Sequence, residues 1–198
     1  MVVKTMDSTP RTGGSTQETD DIRELELIAQ QDQAAFESLY RRYHPKLYRF
    51  VQRITSNPMQ VEEIVSDTLF AVWNSAARFQ QKSKVSTWIF GIGFRTAMKA
   101  TRSSARHSRF TQSGDDPDAL EDQNEANDPS IKAELRGRTA DVLAAVQSLN
   151  PKQRAVVELT ALGWSSAEIG EIVGCPANTV KTRMFSARKK LLAIGAYN

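Results

Sequence analysis

Ser165-Ser166-Ala167-Glu168-Ile169-Gly170-Glu171-Ile172-Val173-Gly174-Cys175-Pro176-Ala177-Asn178-Thr179-Val180 is the stretch on which the fold turns. Two helices that cross closely need a small residue at the crossing, a turn with positive φ, and an apolar anchor on the second helix. Gly170, Gly174 and Val180 meet those needs in that order, which is helix-turn-helix spacing. Downstream, Val180, Met184, Ala187 and Leu191 form an inward stripe and leave Lys181, Arg183, Arg188 and Lys189 outside, beside Thr179 and Thr182. The cations would neutralise phosphates. Asn178, Thr179, Lys181 and Thr182, near the helix N-terminus, would reach base edges in a major groove. A basic last turn such as Arg188-Lys189-Lys190 by itself only solvates a helix end and favours its dipole. The ordered glycine, apolar anchor and basic outer face are what point to DNA.

Working outward, the net charge of +3 over 198 residues conceals strong segregation. Residues 131–198 carry ten basic groups against five acidic. Before them, residues 110–130 hold Asp115, Asp116, Asp118, Glu121, Asp122, Glu125 and Asp128 with Gly114, Pro117 and Pro129 and no Lys or Arg, the composition of a linker. Residues 81–109 invert the sign again, with seven basic groups and no acid, interleaved with Trp88, Phe90 and Phe94. Residues 1–20, rich in Ser, Thr and Gly, are expected to be a disordered tail. Two net-positive blocks on an acidic tether predict two domains.

In the first block, Phe36, Leu39, Tyr40, Tyr43, Leu47, Phe50, Val51 and Ile54 recur at threes and fours, the spacing of one buried helix face. Pro45 either kinks that helix or divides it. Asn57-Pro58 marks a turn, and Val61, Ile64, Val65, Leu69, Val72 and Trp73 predict a second helix with Glu62 and Glu63 in its first turn. A third is predicted over about Ser86 to Arg102. No stretch alternates with period two between hairpin turns, so the fold class is all-α: two small helical domains joined by a flexible acidic linker. For Trp73, Trp88 and Phe90, core packing and contact with unstacked bases are both open uses.

The remaining residue types exclude several functions. One cysteine, Cys175, rules out a disulfide framework within the chain, and with only His44 and His107 no metal site of ordinary spacing can be assembled. Cys175 is read as a small apolar filler and both histidines as surface residues. No nucleophile, base and orienting acid recur as a set, so neither catalysis nor a cofactor is expected. There is no signal-like apolar run at the N-terminus and no run of eighteen apolar residues, and the protein is expected to be cytoplasmic without membrane insertion.

Asp32-Gln33-Ala34-Ala35-Phe36-Glu37-Ser38-Leu39-Tyr40 and Val61-Glu62-Glu63-Ile64-Val65-Ser66-Asp67-Thr68-Leu69-Phe70-Ala71-Val72-Trp73 resemble region 2 of the sigma-70 family. Ser86-Thr87-Trp88-Ile89-Phe90-Gly91-Ile92-Gly93-Phe94-Arg95-Thr96-Ala97 is similar to that region's promoter-melting segment. Leu149-Asn150-Pro151-Lys152-Gln153-Arg154-Ala155-Val156-Val157 and Asn178 to Arg183 resemble region 4. With only these two regions and a short tether, the resemblance is to the extracytoplasmic-function (ECF) group. It implies a region 2 domain at 21–104, a linker at 105–130 and a region 4 domain at 131–198.

The same resemblance implies partners and roles. Core RNA polymerase would be bound through its β′ coiled coil by Glu63, Asp67, Phe70 and Asn74, and through its β flap by region 4. The minus-ten element of promoter DNA would be met by Phe79, Lys82, Lys84, Trp88, Arg95, Lys99 and Arg102, with a flipped base held between Phe79 and Thr87 at an unstacking cost of a few kcal/mol. The minus-thirty-five element would be read by Asn178, Thr179, Lys181, Thr182, Arg183 and Arg188. The linker would thread near the RNA exit path, and an anti-sigma factor is an implied regulator. Ser66, Leu69, Arg95 and Asn178 depart from the common pattern, so the promoter sequence is not carried over. A free-standing helix-turn-helix regulator is the alternative, but it leaves residues 25–102 without a role.

Overall fold

A computed structural model of the chain describes residues 13–55, 57–111, 146 and 148–193. Its regular elements are helical: α1 (Gly13–Ala29), α2 (Gln33–Ile54), α3 (Val61–Ser75), α4 (Val85–Thr111), α5 (Pro151–Ala161), α6 (Ser166–Val173) and α7 (Ala177–Ala193), with single 3₁₀ turns at Pro58–Gln60 and Ala76–Arg78. Among the described residues there is no strand, as the absence of period-two patterning predicts.

α2 begins where the Asp32 side chain accepts a hydrogen bond from the Ala35 amide at 3.0 Å, occupying a donor that the first turn leaves free. Leu39, Tyr43, Leu47, Phe50, Val51 and Ile54 are then buried along one face. Pro45 does not divide the helix, which is continuous from Gln33 to Ile54. The proline lies on the exposed side of the helix.

Two boundaries differ from expectation. Residues 1–20 were predicted to be a structureless tail, yet helix begins at Gly13. The polar composition is overridden by partners on α2: Asp21, 1% exposed, accepts from the Tyr43 hydroxyl, and Glu24 takes Arg42 and the Ser38 hydroxyl. Leu25 and Ile28 are buried beside them. Burial, and then the bond to Asp21, push the Tyr43 hydroxyl far above its ordinary pKa. The third helix was predicted to end near Arg102 with the linker from 105, but α4 continues to Thr111. Between Arg102 and Gly114 there is no Gly or Pro to stop it. The acidic run from Asp115 to Asp128 lies outside the described residues.

In the second unit, both α5 and α6 start with reciprocal capping boxes, Asn150 with Gln153 and Ser165 with Glu168, each satisfying two backbone donors. α6 ends at Gly174, which is left-handed at φ 65°, a conformation open to glycine at little cost. A Cβ at Gly170 would stand 2.6 Å from the Cys175 carbonyl oxygen, so the helix crossing there requires glycine.

The predicted two domains appear as α1–α4 and α5–α7, but they are packed together rather than merely tethered. One buried apolar cluster runs from Leu25 through Phe90 and Phe94 to Ile169, Ile172 and Val180. Phe90 joins the halves, its ring 5.2 Å from Phe50 on one side and 5.2 Å from Trp164 on the other. A smaller cluster of Leu149, Ala187 and Leu191 closes the base of the second unit.

Candidate nucleic-acid interface

Three surfaces gather the candidate residues. On α7, Val180, Ala187 and Leu191 are buried and Met184 is half-buried, so the inward stripe is in place. Asn178, Lys181, Thr182, Arg188 and Lys189 are exposed on the opposite side and Thr179 is half-buried. Arg183 differs: it is half-buried and turns back to donate to the Cys175 sulfur at 3.3 Å, which holds the turn instead of extending the outer face. Thr182 is exposed, but its hydroxyl donates to the Asn178 carbonyl of its own helix at 3.0 Å. Phe185, 72% exposed, stands among these cations at helical spacing.

The second surface is a stripe along α4. Lys84, Trp88, Arg95, Lys99 and Arg102 follow one another at intervals of three, four and seven, hence on one side of the helix. Trp88 is half-buried, its ring 5.1 Å from Phe79 across the turn that precedes α4, while Lys82 is exposed. Thr87, 2% exposed, has a hydroxyl with no hydrogen-bond partner among the described residues. A buried polar group without a partner is costly, and one that meets a ligand recovers that cost. Arg95, Lys99 and Arg102 line a cleft of about 530 Å³ whose opposite wall carries Lys152 of α5, over an apolar floor of Phe94, Met98 and Val173.

Two residues not singled out by sequence set the geometry here. Glu18 of α1 accepts a hydrogen bond from the Val85 amide at 2.7 Å, so a residue of the expected tail caps the start of α4. Glu168 of α6 takes Lys84 at 2.7 Å through one carboxylate oxygen and the Ser165 amide and hydroxyl through the other. The hydrogen bond from Lys84 dominates, holding the Glu168 carboxyl down to about 2, with Ser165 adding and partial burial opposing. Lys84 is raised in turn, by the same bond. Only Glu168 was foreshadowed, since Ser-x-x-Glu spacing announces a capping box. A contact across 84 positions has no local signal.

The third surface is the outer side of α3. Glu63, Asp67, Phe70 and Asn74 are all exposed on one helical face, Phe70 at 66%. Trp73, half-buried beside that face, packs edge-on against Phe36 at 5.0 Å, the core use of that ring. His44 is not a free surface residue: it lies between Tyr40 and Tyr48 and its Nε2 is 3.0 Å from Glu62. The His107 side chain lies outside the described residues. Among the described residues no three His, Cys, Asp or Glu side chains are grouped to hold a metal ion, and no helix is long and apolar enough to cross a membrane.

A helical unit with a cationic stripe, packed on a helix-turn-helix unit with a polar outer face, defines an all-α protein of two modules. The family models agree on both. Sigma-70 region 2 matches residues 39–107 and Sigma-70 region 4 matches residues 139–191. RNA polymerase sigma factor CarQ of Myxococcus xanthus is 27% identical over 160 residues, covering 80% of this chain and 88% of that protein. The ECF RNA polymerase sigma factor SigM of Mycobacterium tuberculosis is 26% identical over 185 residues, covering 93% and 89%. Among solved structures, CnrH in complex with the cytosolic domain of CnrY superposes with a TM-score of 0.63 at 23% identity, covering 88% of this chain and 96% of that one. The sigma factor RpoE of Bartonella quintana, solved with the anti-sigma factor NepR, gives 0.61 at 22% identity over 80% and 95%. The chain belongs to the sigma-70 family, as a sigma factor of the ECF group.

Proposed function

We propose that the chain binds core RNA polymerase and directs it to promoters, with region 4 reading the minus-thirty-five element and region 2 capturing and opening the minus-ten element. The observation that carries this reading is the pairing, in one chain, of an exposed Asn178–Lys181–Thr182 face on a helix-turn-helix with a cationic, aromatic-flanked stripe on α4. On α7, Asn178, Thr179 and Thr182 meet base edges, Lys181 meets a base edge and the phosphate beside it, and Arg188 meets phosphate, while Arg183 supports the turn. On α4, Arg95, Lys99 and Arg102, with Lys82 and Lys84 from the turn before it, follow the strand backbone. Phe79 and Trp88 flank the place where an unstacked base would enter, and the unpartnered Thr87 hydroxyl supplies a polar contact for it.

The exposed Glu63, Asp67, Phe70 and Asn74 face is the docking surface for the β′ coiled coil, with an apolar side chain 66% exposed among acids. Region 4 meets the β flap. The work is done by binding energy and the protein catalyses nothing. An anti-sigma factor as a regulator is supported by the similarity to RpoE solved with NepR. A cytoplasmic location follows from the polymerase partner.

The test is run-off transcription by bacterial core polymerase, with and without the purified chain, from a genomic fragment library. Chain-dependent transcripts with defined start sites are expected. DNA binding with neither transcripts nor polymerase association would instead indicate a free-standing regulator.

A further inference from the structure

Resting on the reading of the minus-thirty-five element by region 4, we propose that Gln153 of α5 is a positioning residue for that reading: it sets the rotation of α7 about its own axis, and with it which side chains face the groove, without meeting DNA itself. Gln153 is 6% exposed and is held at both ends of its side-chain amide. Its Oε1 accepts from the Asn150 amide at 3.3 Å, while its own backbone amide donates to Asn150 Oδ1 at 2.9 Å. That reciprocal box anchors the side chain to the first turn of α5. Its Nε2 donates to Ser186 Oγ on α7 at 3.2 Å, across 33 positions of sequence. Ser186 follows Thr182 by four residues and Thr179 by seven, so the three share one side of α7. They mark the edge between the buried stripe of Val180, Ala187 and Leu191 and the exposed face of Asn178, Lys181 and Thr182.

Apolar packing alone defines that rotation loosely. Burial of Val180, Ala187 and Leu191 scales with area and has no direction, whereas a hydrogen bond weakens steeply off its axis. Side-chain tips stand about 5–6 Å from a helix axis, so a roll of about 20° moves them by about 2 Å. A shift of that size breaks a hydrogen bond to a base edge but leaves a cation within the field of a phosphate. Losing the tie between Gln153 and Ser186 therefore costs discrimination between base sequences and spares the electrostatic hold on DNA. A residue that merely supported the fold would lower both together.

The experiment uses the full chain reconstituted with core polymerase, on the promoter recovered by run-off from the genomic library and on a copy with its minus-thirty-five element scrambled. Three variants are compared with wild type, with circular dichroism checking that each is helical at the assay temperature. Ser186→Ala leaves the capping box whole, Gln153→Met keeps the Asn150 cap on its backbone amide, and the third carries both changes. Each single substitution is expected to lower the ratio of transcription from the intact promoter to that from the scrambled copy roughly three- to tenfold. The double variant is expected to lose no more than either single one, because both remove the same bond. The salt dependence of promoter binding is expected to stay as in wild type. An unchanged ratio in Ser186→Ala overturns the proposal by itself. Additive losses overturn it too, since the two residues would then act separately, and so does a lowered salt slope, which would make one of them a phosphate contact. In each of those cases the minus-thirty-five reading stands. Wild-type transcription that ignores the scrambling overturns that reading and the proposal with it.

Discussion

At the scale of the single residue, the helix-turn-helix shows why some positions were legible and others not. Gly170 and Gly174 were readable because each answers a local steric demand, a 2.6 Å approach to the Cys175 carbonyl and a φ of 65°. Gly170→Ala should accordingly destabilise region 4 by about 1–3 kcal/mol, measured as a lowered thermal midpoint; an unchanged midpoint would mean that the turn relaxes freely. Arg183 was misplaced because helical spacing assigns a side, while a long side chain still chooses its partner across space, here Cys175. Glu168 offers a titration test. Its folded pKa of about 2 lies below its ordinary 4.5, so the stability it contributes is complete above about pH 4.5 and is lost as pH falls toward 2. Carbon-13 NMR should show that low midpoint in wild type and a rise toward 4.5 in Lys84→Ala. A wild-type midpoint near 4.5 would remove the contact from solution.

Elements were largely legible because apolar periodicity, caps and dipole-matching acids act within a few residues of one another. α3 follows Val61, Ile64, Val65, Leu69 and Val72 as predicted, and α2 shows that an exposed proline is carried without a break. α1 and the last turns of α4 were not legible, the first because its partners Arg42 and Tyr43 belong to another helix. Two predictions belong here. If α7 is the reading helix, Lys181→Ala should weaken promoter binding and lower the slope of log K against log salt by about 1, because one phosphate contact is lost. A weakened complex with an unchanged slope would move Lys181 off the phosphates. If α3 is the docking helix, Asp67→Arg should abolish capture by core polymerase in a pull-down while leaving duplex binding by region 4 alone, and retained capture would relocate the surface.

For the whole molecule, charge segregation announced the two modules but not their contact, since neither Phe90–Trp164 nor Lys84–Glu168 follows from any local pattern. One such long-range link has a practical consequence at the N-terminus. Glu18 lies upstream of residue 39, where the region 2 match begins, yet it holds the first amide of α4. A protein trimmed to residues 39–191 would keep every residue that the two family models match. It would nevertheless lose the acceptor for Val85, leave Tyr43 and Arg42 without Asp21, and uncover the ground on which Leu25 and Ile28 rest. Such a minimal version would be a poor surrogate for the natural protein: the start of α4 would fray first, and weak activity in it would report on missing scaffolding rather than on missing recognition.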